Sequence, residues 1–123
     1  MKLITLELEQ RFAEVGDQSE TKDPIIVAKF FDPCGSATWY ATEYDKQTKI
    51  SYGFVTGLFE SEWGTFSIDE LESIQRPFGL TIERDIHFNE ISFYGQFPQL
   101  LKKRTTELQH IHSTDDQDQD LER

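Results

Sequence analysis

The sequence lacks the features of secreted and membrane proteins. Only one of its 123 residues is a cysteine, Cys34, so no internal disulfide can form. No basic and apolar leader opens the chain, and no apolar run approaches the roughly 20 residues that a membrane-spanning helix needs. We therefore expect a cytoplasmic protein without a membrane-spanning segment.

Basic residues are also scarce. Lysine and arginine number 12 against 23 aspartates and glutamates, which gives a formal net charge of −11 and a pI near 4.6. A protein that binds free nucleic acid normally carries a basic patch, and an anionic membrane surface would repel this chain. The charge instead suits a protein partner with a basic surface, or a surface that imitates nucleic acid.

The motifs of common enzyme classes are missing as well. Ser36 and Ser67 lack the Gly-x-Ser-x-Gly context of a nucleophile elbow, and no histidine lies near Cys34 in sequence. There is no glycine-rich phosphate loop and no zinc-ligand spacing. We expect no cofactor and no bound metal. These absences favour a non-catalytic protein but do not exclude an enzyme.

Aromatic residues, by contrast, are plentiful. Ten phenylalanines, four tyrosines and two tryptophans supply ample bulk for a core, and the length is that of one domain. We predict a single α+β domain over residues 1–112. Residues 113–123 hold five acidic residues and one apolar residue, which predicts an acidic, disordered tail.

The pattern of residues 38–45 (TWYATEYD) is typical of a central strand, because aromatic and β-branched residues dominate it. Strict alternation places Trp39, Ala41 and Glu43 on one face, which would bury the Glu43 carboxylate beside a tryptophan. A buried carboxylate needs a partner.

The remaining chain supplies the other elements of the predicted fold. Ser67 and Glu70 form a capping box, which predicts a helix that continues until Pro77. A polar connector without core residues is predicted at 17–24, and Gly53 indicates a bulge or the close approach of another backbone. We predict a helix over 3–15 ending at Gly16, strands over 25–31, 38–45, 50–55, 63–66 and 80–88, and a helix from about 97 to 112. The fold class is α+β, with a mostly antiparallel five-stranded sheet, one capped helix between strands four and five, and flanking terminal helices.

Two groups of residues are candidates for catalysis. Glu43 and Arg84 each interrupt an apolar strand face, so they are predicted to form an inward ion pair that fixes the sheet or, alternatively, a catalytic or anion-binding site. Glu83, Asp85 and His87 alternate along one predicted strand face, where they are either a hydrated surface or an acid–base or metal site. Residues two apart on one face lie about 7 Å from each other, which favours the hydrated surface.

Other residues are candidates for binding. Tyr40 and Tyr44, together with Tyr52, would form a stacking platform for bases if they shared an open face, although packed sheet aromatics are commoner. Glu60 and Glu62 lie in an acidic loop that suits a basic partner. Lys102, Lys103 and Arg104 are interpreted as the solvated side of the last helix. His110 and His112 are two residues apart on that helix and point in different directions, so they do not predict a shared metal.

Several segments together resemble a known family. It is a bacterial domain-of-unknown-function family (number 2958) that is seen often on plasmids, integrative elements and phages. The matching segments are KFF at 29–31, TWYATEYD at 38–45, GFV at 53–55, WGTFS at 63–67, EL at 70–71, PFGL at 77–80 and IERDIHF at 82–88. The resemblance implies a mobile-element setting and carries no activity.

These observations lead to one favoured function and two alternatives. We expect a small acidic non-catalytic interaction protein that binds a host or element-encoded protein, with nucleic-acid mimicry as one mechanism. The first alternative is a small hydrolase or metal-assisted enzyme that uses Glu43, Arg84, Glu83, Asp85 and His87. The second is a nucleic-acid-binding module that uses the sheet tyrosines and the basic residues at 102–104.

Overall fold

The computed structural model describes residues 1–101. The α-helices are α1 (Leu6–Val15), α2 (Ile68–Ser73) and α3 (Phe93–Gln96), and a 3-10 turn spans Pro77–Gly79. The strands are β1 (Ile25–Ile26), β2 (Ala28–Phe31), β3 (Thr38–Asp45), β4 (Ile50–Thr56), β5 (Glu62–Ser67), β6 (Glu83–Arg84) and β7 (Ile91–Ser92). Residues 98–101 are helical.

The strands form a five-stranded antiparallel sheet in the order β5-β4-β3-β2-β6 and a two-stranded sheet of β1 and β7. The predicted α+β fold with an antiparallel five-stranded sheet is confirmed. Short turns join β2 to β3 and β3 to β4, so these strands pair with their neighbours in sequence, as expected for a meander. Among residues 1–101 no helix has the length and apolar composition needed to cross a membrane.

Each face of the sheet carries a packed core. One face, here called the α1 face, packs Phe30, Trp39 and Ala41 against Phe12 of α1 and Leu71 of α2. The opposite face, here called the aromatic face, packs Tyr40 and Phe54 against Phe93 of α3. Ring centres of Phe54 and Phe93 lie 5.0 Å apart in an edge-to-face arrangement, which is a favourable aromatic geometry.

The Ser67 cap of α2 is present as predicted, whereas the reciprocal hydrogen bond of a full capping box, from the Ser67 backbone N–H to the Glu70 carboxylate, is not found among residues 1–101. The Ser67 hydroxyl accepts a hydrogen bond from the Glu70 backbone N–H at 3.2 Å, and Leu71 is buried. The helix ends at Ser73 rather than near Pro77. The Ser73 hydroxyl donates to the Glu70 carbonyl, and Ile74 is already extended, so a local side-chain bond competes with a further helical turn.

The first helix is shorter than predicted. It begins at Leu6 because the Thr5 hydroxyl caps the backbone N–H of Leu8, while Leu3 and Ile4 lie before the helix and are buried in the core. Gly16 ends the helix as predicted, with a φ of 69° that a glycine adopts without strain.

Two predicted strands are interrupted. The strand predicted at 25–31 breaks at Val27, whose N–H donates to the Ala41 carbonyl, and Ile26 and Ala28 consequently pack on opposite faces of the main sheet. The strand predicted at 80–88 is regular only at Glu83–Arg84. The terminal helix is described only at residues 98–101. The rest of it, with the basic residues at 102–104 and the histidines, and the acidic tail at 113–123 lie outside the described residues.

Candidate functional site

A β-bulge in β3 determines where Glu43 lies. Ala41 pairs with Gly53 and Glu43 pairs with Tyr52, so two residues of β3 are opposite one step of β4 and Thr42 is the extra residue. The prediction that Glu43 shares the face of Trp39 is therefore wrong. Tyr44 continues the α1 face, where its ring lies 5.7 Å from that of Phe12, and Glu43 is on the other face.

A buried glutamine, Gln18, holds the Glu43 carboxylate on the aromatic face. The Gln18 backbone N–H donates to Glu43 Oε2 at 3.1 Å. Gln18 is 7% exposed, and its side chain donates to the carbonyls of Ile25 and Thr42 and accepts from the Ile25 N–H. The connector at 17–24 therefore does supply a core residue, contrary to prediction. Its side-chain amide satisfies backbone groups that the bulge and the strand start leave unpaired.

Arg84 does not contact Glu43. Its guanidinium Nη1 donates to the carbonyl oxygens of Lys2 at 2.8 Å and Leu3 at 3.0 Å. Arg84 pairs with Phe30 in the sheet and so belongs to the α1 face, whereas Glu43 lies on the aromatic face. The predicted Glu43–Arg84 ion pair is wrong. Arg84 instead fixes the segment before α1 to the edge of the sheet.

Glu83, Asp85 and His87 do not form a row. β6 ends at Arg84, and Asp85 starts a turn in which its carboxylate accepts from the His87 backbone N–H at 2.9 Å. Asp85 also pairs with Lys29 at 3.5 Å. Within residues 1–101 no group of three or more histidine, cysteine or acidic residues is arranged to hold a metal ion.

Tyr40 and Tyr44 lie on opposite faces because the bulge falls between them, so the three tyrosines do not share the open face that a stacking platform for bases requires. Tyr40 is 8% exposed and meets Phe97 edge-on at 5.0 Å. Lys29 Nζ lies 5.8 Å from the centre of the Tyr40 ring. Burial raises the pKa of Tyr44 above its ordinary value, and the nearby carboxylate of Glu9 adds to the shift.

Part of the aromatic face is left open. The row of Tyr40, Phe54 and Trp63 across three strands is covered by α3, while the adjacent row of Glu43, Tyr52 and Thr65, here called the open row, borders solvent-filled space. Tyr52 is 38% exposed, and its ring stacks on Trp63 with 5.6 Å between centres and an angle of 15°. Two cavities, of about 710 and 530 Å³, meet at Glu43 and Tyr52.

The opposite end of the sheet carries exposed apolar residues. Phe59 and Phe78 are almost fully exposed residues, at 102% and 96%, and Leu58 is also exposed. We call Leu58, Phe59 and Phe78 the apolar tip. Glu60 and Glu62, the predicted acidic binding residues, are both exposed: Glu60 follows Phe59 in the loop, and Glu62 is the first residue of β5.

Both loops of the apolar tip are anchored on the β2–β3 turn. The Ser36 hydroxyl donates to the Gly57 carbonyl at 2.8 Å, just before Leu58. Arg76 Nε donates to the Asp32 carboxylate at 3.0 Å, just before the 3-10 turn that contains Phe78. The two loops are thus held at the same end of the sheet.

Phe78 has an unusual backbone conformation. Its φ of 63° and ψ of 26° lie in the left-handed region, which costs a bulky residue roughly 1–2 kcal/mol. Since the ring makes almost no contact within the described residues, packing does not offset this cost. Sequence patterns did not identify Phe59 or Phe78 as functional, although Phe78 lies in one of the segments that carry the family resemblance.

The fold and these surfaces define a small acidic α+β domain with an open polar–aromatic row at one end of its sheet and an apolar tip at the other. The chain belongs to the family described as "Protein of unknown function (DUF2958)", whose model matches residues 3–112. A comparison with curated proteins and another with solved structures found no match.

Proposed function

We propose that the protein is a small acidic, non-catalytic interaction protein of a plasmid, integrative element or phage, and that it acts by binding a host or element-encoded protein. The observation that carries this proposal is the full exposure of Phe59 and Phe78 on two anchored loops. The mobile-element setting is proposed from the family resemblance.

The energetics of the two rings favour a docking role. Burying a phenylalanine side chain contributes about 1.5–3 kcal/mol, and neither ring obtains this from the described part of the fold. Phe78 in addition occupies a strained conformation. Aromatic side chains are enriched at protein interfaces, where a few of them dominate the binding free energy.

Charge indicates the kind of partner. Glu60 and Glu62 border Phe59, and the whole chain carries a net charge of −11. A partner protein with an apolar pocket bordered by lysine and arginine matches this surface. Complementary charge accelerates the encounter of the two proteins and disfavours acidic partners. We therefore propose a basic protein partner.

Imitation of nucleic acid is one mechanism for such binding, and the net charge supports it. It predicts that DNA or RNA competes with the protein for the partner and that added salt weakens binding steeply. Binding that is insensitive to salt would exclude mimicry while leaving the interaction through the apolar tip intact.

The two alternatives have less support. A hydrolase or metal-assisted enzyme would need its groups brought together, whereas Glu43 and Arg84 lie on opposite faces and His87 belongs to a turn. A nucleic-acid-binding module would need an open platform, whereas Tyr40 and Tyr44 pack in separate cores.

The experiment is a pull-down from bacterial lysate with four immobilised forms of the full chain: the wild type, Phe59→Ser, Phe78→Gly and Leu6→Ser. Leu6 is 69% exposed on α1 and borders a cavity with Tyr44 and Lys49 near the β3–β4 turn, which makes it a matched apolar control at the other end of the sheet. We expect one basic protein to be retained by the wild type and Leu6→Ser and lost by both phenylalanine variants. Retention by both of those variants would contradict the proposal.

A further inference from the structure

The open row brings a carboxylate and an aromatic ring together on one face. Glu43 and Tyr52 are direct cross-strand partners, and Thr65 extends the row onto β5. Directly opposite residues have Cβ atoms about 4.5–5.5 Å apart, so the two side chains border the same small volume. The bulge at Thr42 creates this arrangement, since regular alternation would have placed Glu43 on the α1 face.

We propose that the open row is a binding site for a guanidinium group, supplied by arginine. The planar cation stacks over Tyr52 and donates N–H hydrogen bonds to the Glu43 carboxylate. The site is at the opposite end of the sheet from the apolar tip and does not depend on the function proposed for the tip.

The Glu43 carboxylate is oriented for this role. Oε2 accepts from the Gln18 backbone, and Oε1 has no hydrogen-bond partner among residues 1–101. Gln18 is itself held by three hydrogen bonds to the backbone, so the carboxylate is supported by a buried group. A guanidinium fork forms strong, charge-assisted bonds with a carboxylate fixed in this way.

The aromatic partner is equally well supported. Trp63 stacks on Tyr52, and Trp63 is packed against Phe54 and Phe93. A cation near the face of such a ring is attracted by about 0.5–2 kcal/mol, and arginine is the usual residue in these contacts. The cavities of about 530 and 710 Å³ on either side of this pair have the size of ordinary ligand pockets.

Charge selects a cation over an anion. The two cavities are lined by four carboxylates (Glu9, Asp17, Glu43 and Asp45) and two lysines (Lys22 and Lys46). The balance disfavours a phosphate-bearing ligand. A lysine ammonium has the right charge, but it is strongly hydrated and lacks the planar fork, so arginine is preferred.

The test uses the two tryptophans of the full chain as reporters. N-acetyl-arginine amide is titrated at low salt while the indole N–H signals are followed by NMR. We expect the Trp63 signal to shift saturably, with a dissociation constant on the order of a millimolar. The Trp39 signal should stay in place, because that residue is 7% exposed in the core of the α1 face. N-acetyl-lysine amide, which matches the charge and ionic strength, should bind about tenfold more weakly.

Variants test whether the open row is the part of the protein that binds arginine. Glu43→Gln keeps an acceptor for the Gln18 N–H, and we expect it to weaken arginine binding about tenfold. Glu60→Gln removes the same charge at the other end of the sheet and should leave binding unchanged. Tyr52→Phe should bind arginine like the wild type, and Tyr52→Leu should not. An unchanged Trp39 signal shows that each variant is folded.

The source of the guanidinium is tested with a pentapeptide that has arginine at its centre. Tighter binding than the free amide assigns the site to an arginine of a partner chain, and equal binding assigns it to a small guanidinium compound. The proposal is overturned if no saturable Trp63 shift occurs, if the lysine compound binds equally well, or if Glu60→Gln weakens binding as much as Glu43→Gln.

Discussion

The carbonyl oxygen of Tyr40 lies so close to Gly53 that a Cβ atom on Gly53 would be 2.0 Å from it. Gly53 pairs with Ala41 on one side and with Gly64 on the other, in the middle of three strands. The close approach immediately precedes the bulge at Thr42, where β3 changes the direction of its side chains. The absence of a side chain at Gly53 thus allows the backbone path that brings Glu43 opposite Tyr52.

Gly53→Ala is therefore expected to be severely destabilising. The added methyl group meets backbone atoms of Tyr40 and Ala41 that cannot move without breaking the ladder, and we expect a loss of about 3–5 kcal/mol in the free energy of unfolding. Urea denaturation followed by fluorescence measures this loss.

Gly64→Ala is the matched control for that change. A Cβ on Gly64 meets no atom within 4 Å, although Gly64 is the direct cross-strand partner of Gly53. Its effect should stay within about 0.5 kcal/mol. Equal losses in the two variants would mean that the free energy of unfolding depends on the backbone freedom of glycine and not on the close approach of Tyr40.

Local patterns in the sequence predicted much of the fold. Alternating apolar residues and short polar turns identified the meander of β2, β3, β4 and β5, and the Ser67–Glu70 capping box identified α2. The break at Val27 was not predictable, because it depends on the pairing of Ile25 with Ser92, far away in sequence. Such partners leave no trace in local periodicity.

The two surfaces were harder to predict than the fold. Alternation gives the face of a strand residue only while the strand is regular, and nothing in the composition of residues 38–45 marks Thr42 as the extra residue of a bulge. Glu43 was predicted to lie on the Trp39 face and to pair with Arg84, and both predictions failed because of this bulge. The exposure of Phe59 and Phe78 was not predicted, because the residue type alone does not distinguish a phenylalanine that projects into solvent from one that packs in a core.

Arg84 is expected to stabilise the fold through its hydrogen bonds to the backbone carbonyls of residues 2 and 3. Arg84→Met leaves the carbonyls of Lys2 and Leu3 without their donor, at a cost of about 1–3 kcal/mol in the free energy of unfolding. Arg11→Met, which breaks exposed ion pairs to Glu14 and Glu90, should cost less than Arg84→Met, because solvent screens these pairs. Chemical denaturation compares the two losses.

A double-mutant cycle tests the separation of Arg84 from Glu43. Because the two side chains occupy opposite faces of the sheet, the losses from Arg84→Met and Glu43→Gln should add within about 0.5 kcal/mol. A coupling energy well above that value would contradict the positions described for these residues.

Phe78→Gly is expected to stabilise the protein. Glycine removes the left-handed strain of roughly 1–2 kcal/mol, and its greater freedom in the unfolded chain costs about 0.5–1 kcal/mol, so the expected net gain is up to about 1.5 kcal/mol. Calorimetry should show a higher melting temperature. Phe78→Val should show a lower one, because a β-branched residue fits the left-handed region still less well. A lower melting temperature for Phe78→Gly would mean that the ring stabilises the fold.

Tyr44 should make the protein less stable in alkali. Burial against α1 raises the pKa of its hydroxyl in the folded state above the ordinary value of 10.0, so the unfolded chain loses this proton first. The folded state then binds more protons than the unfolded state, and the free energy of unfolding falls as the pH rises above about 10. Tyr44→Phe has no proton to lose and should show a smaller fall between pH 9 and 11 in urea titrations, with stability equal to the wild type at pH 7. Parallel declines of the two proteins with pH would contradict this assignment, because they would place the titrating group elsewhere.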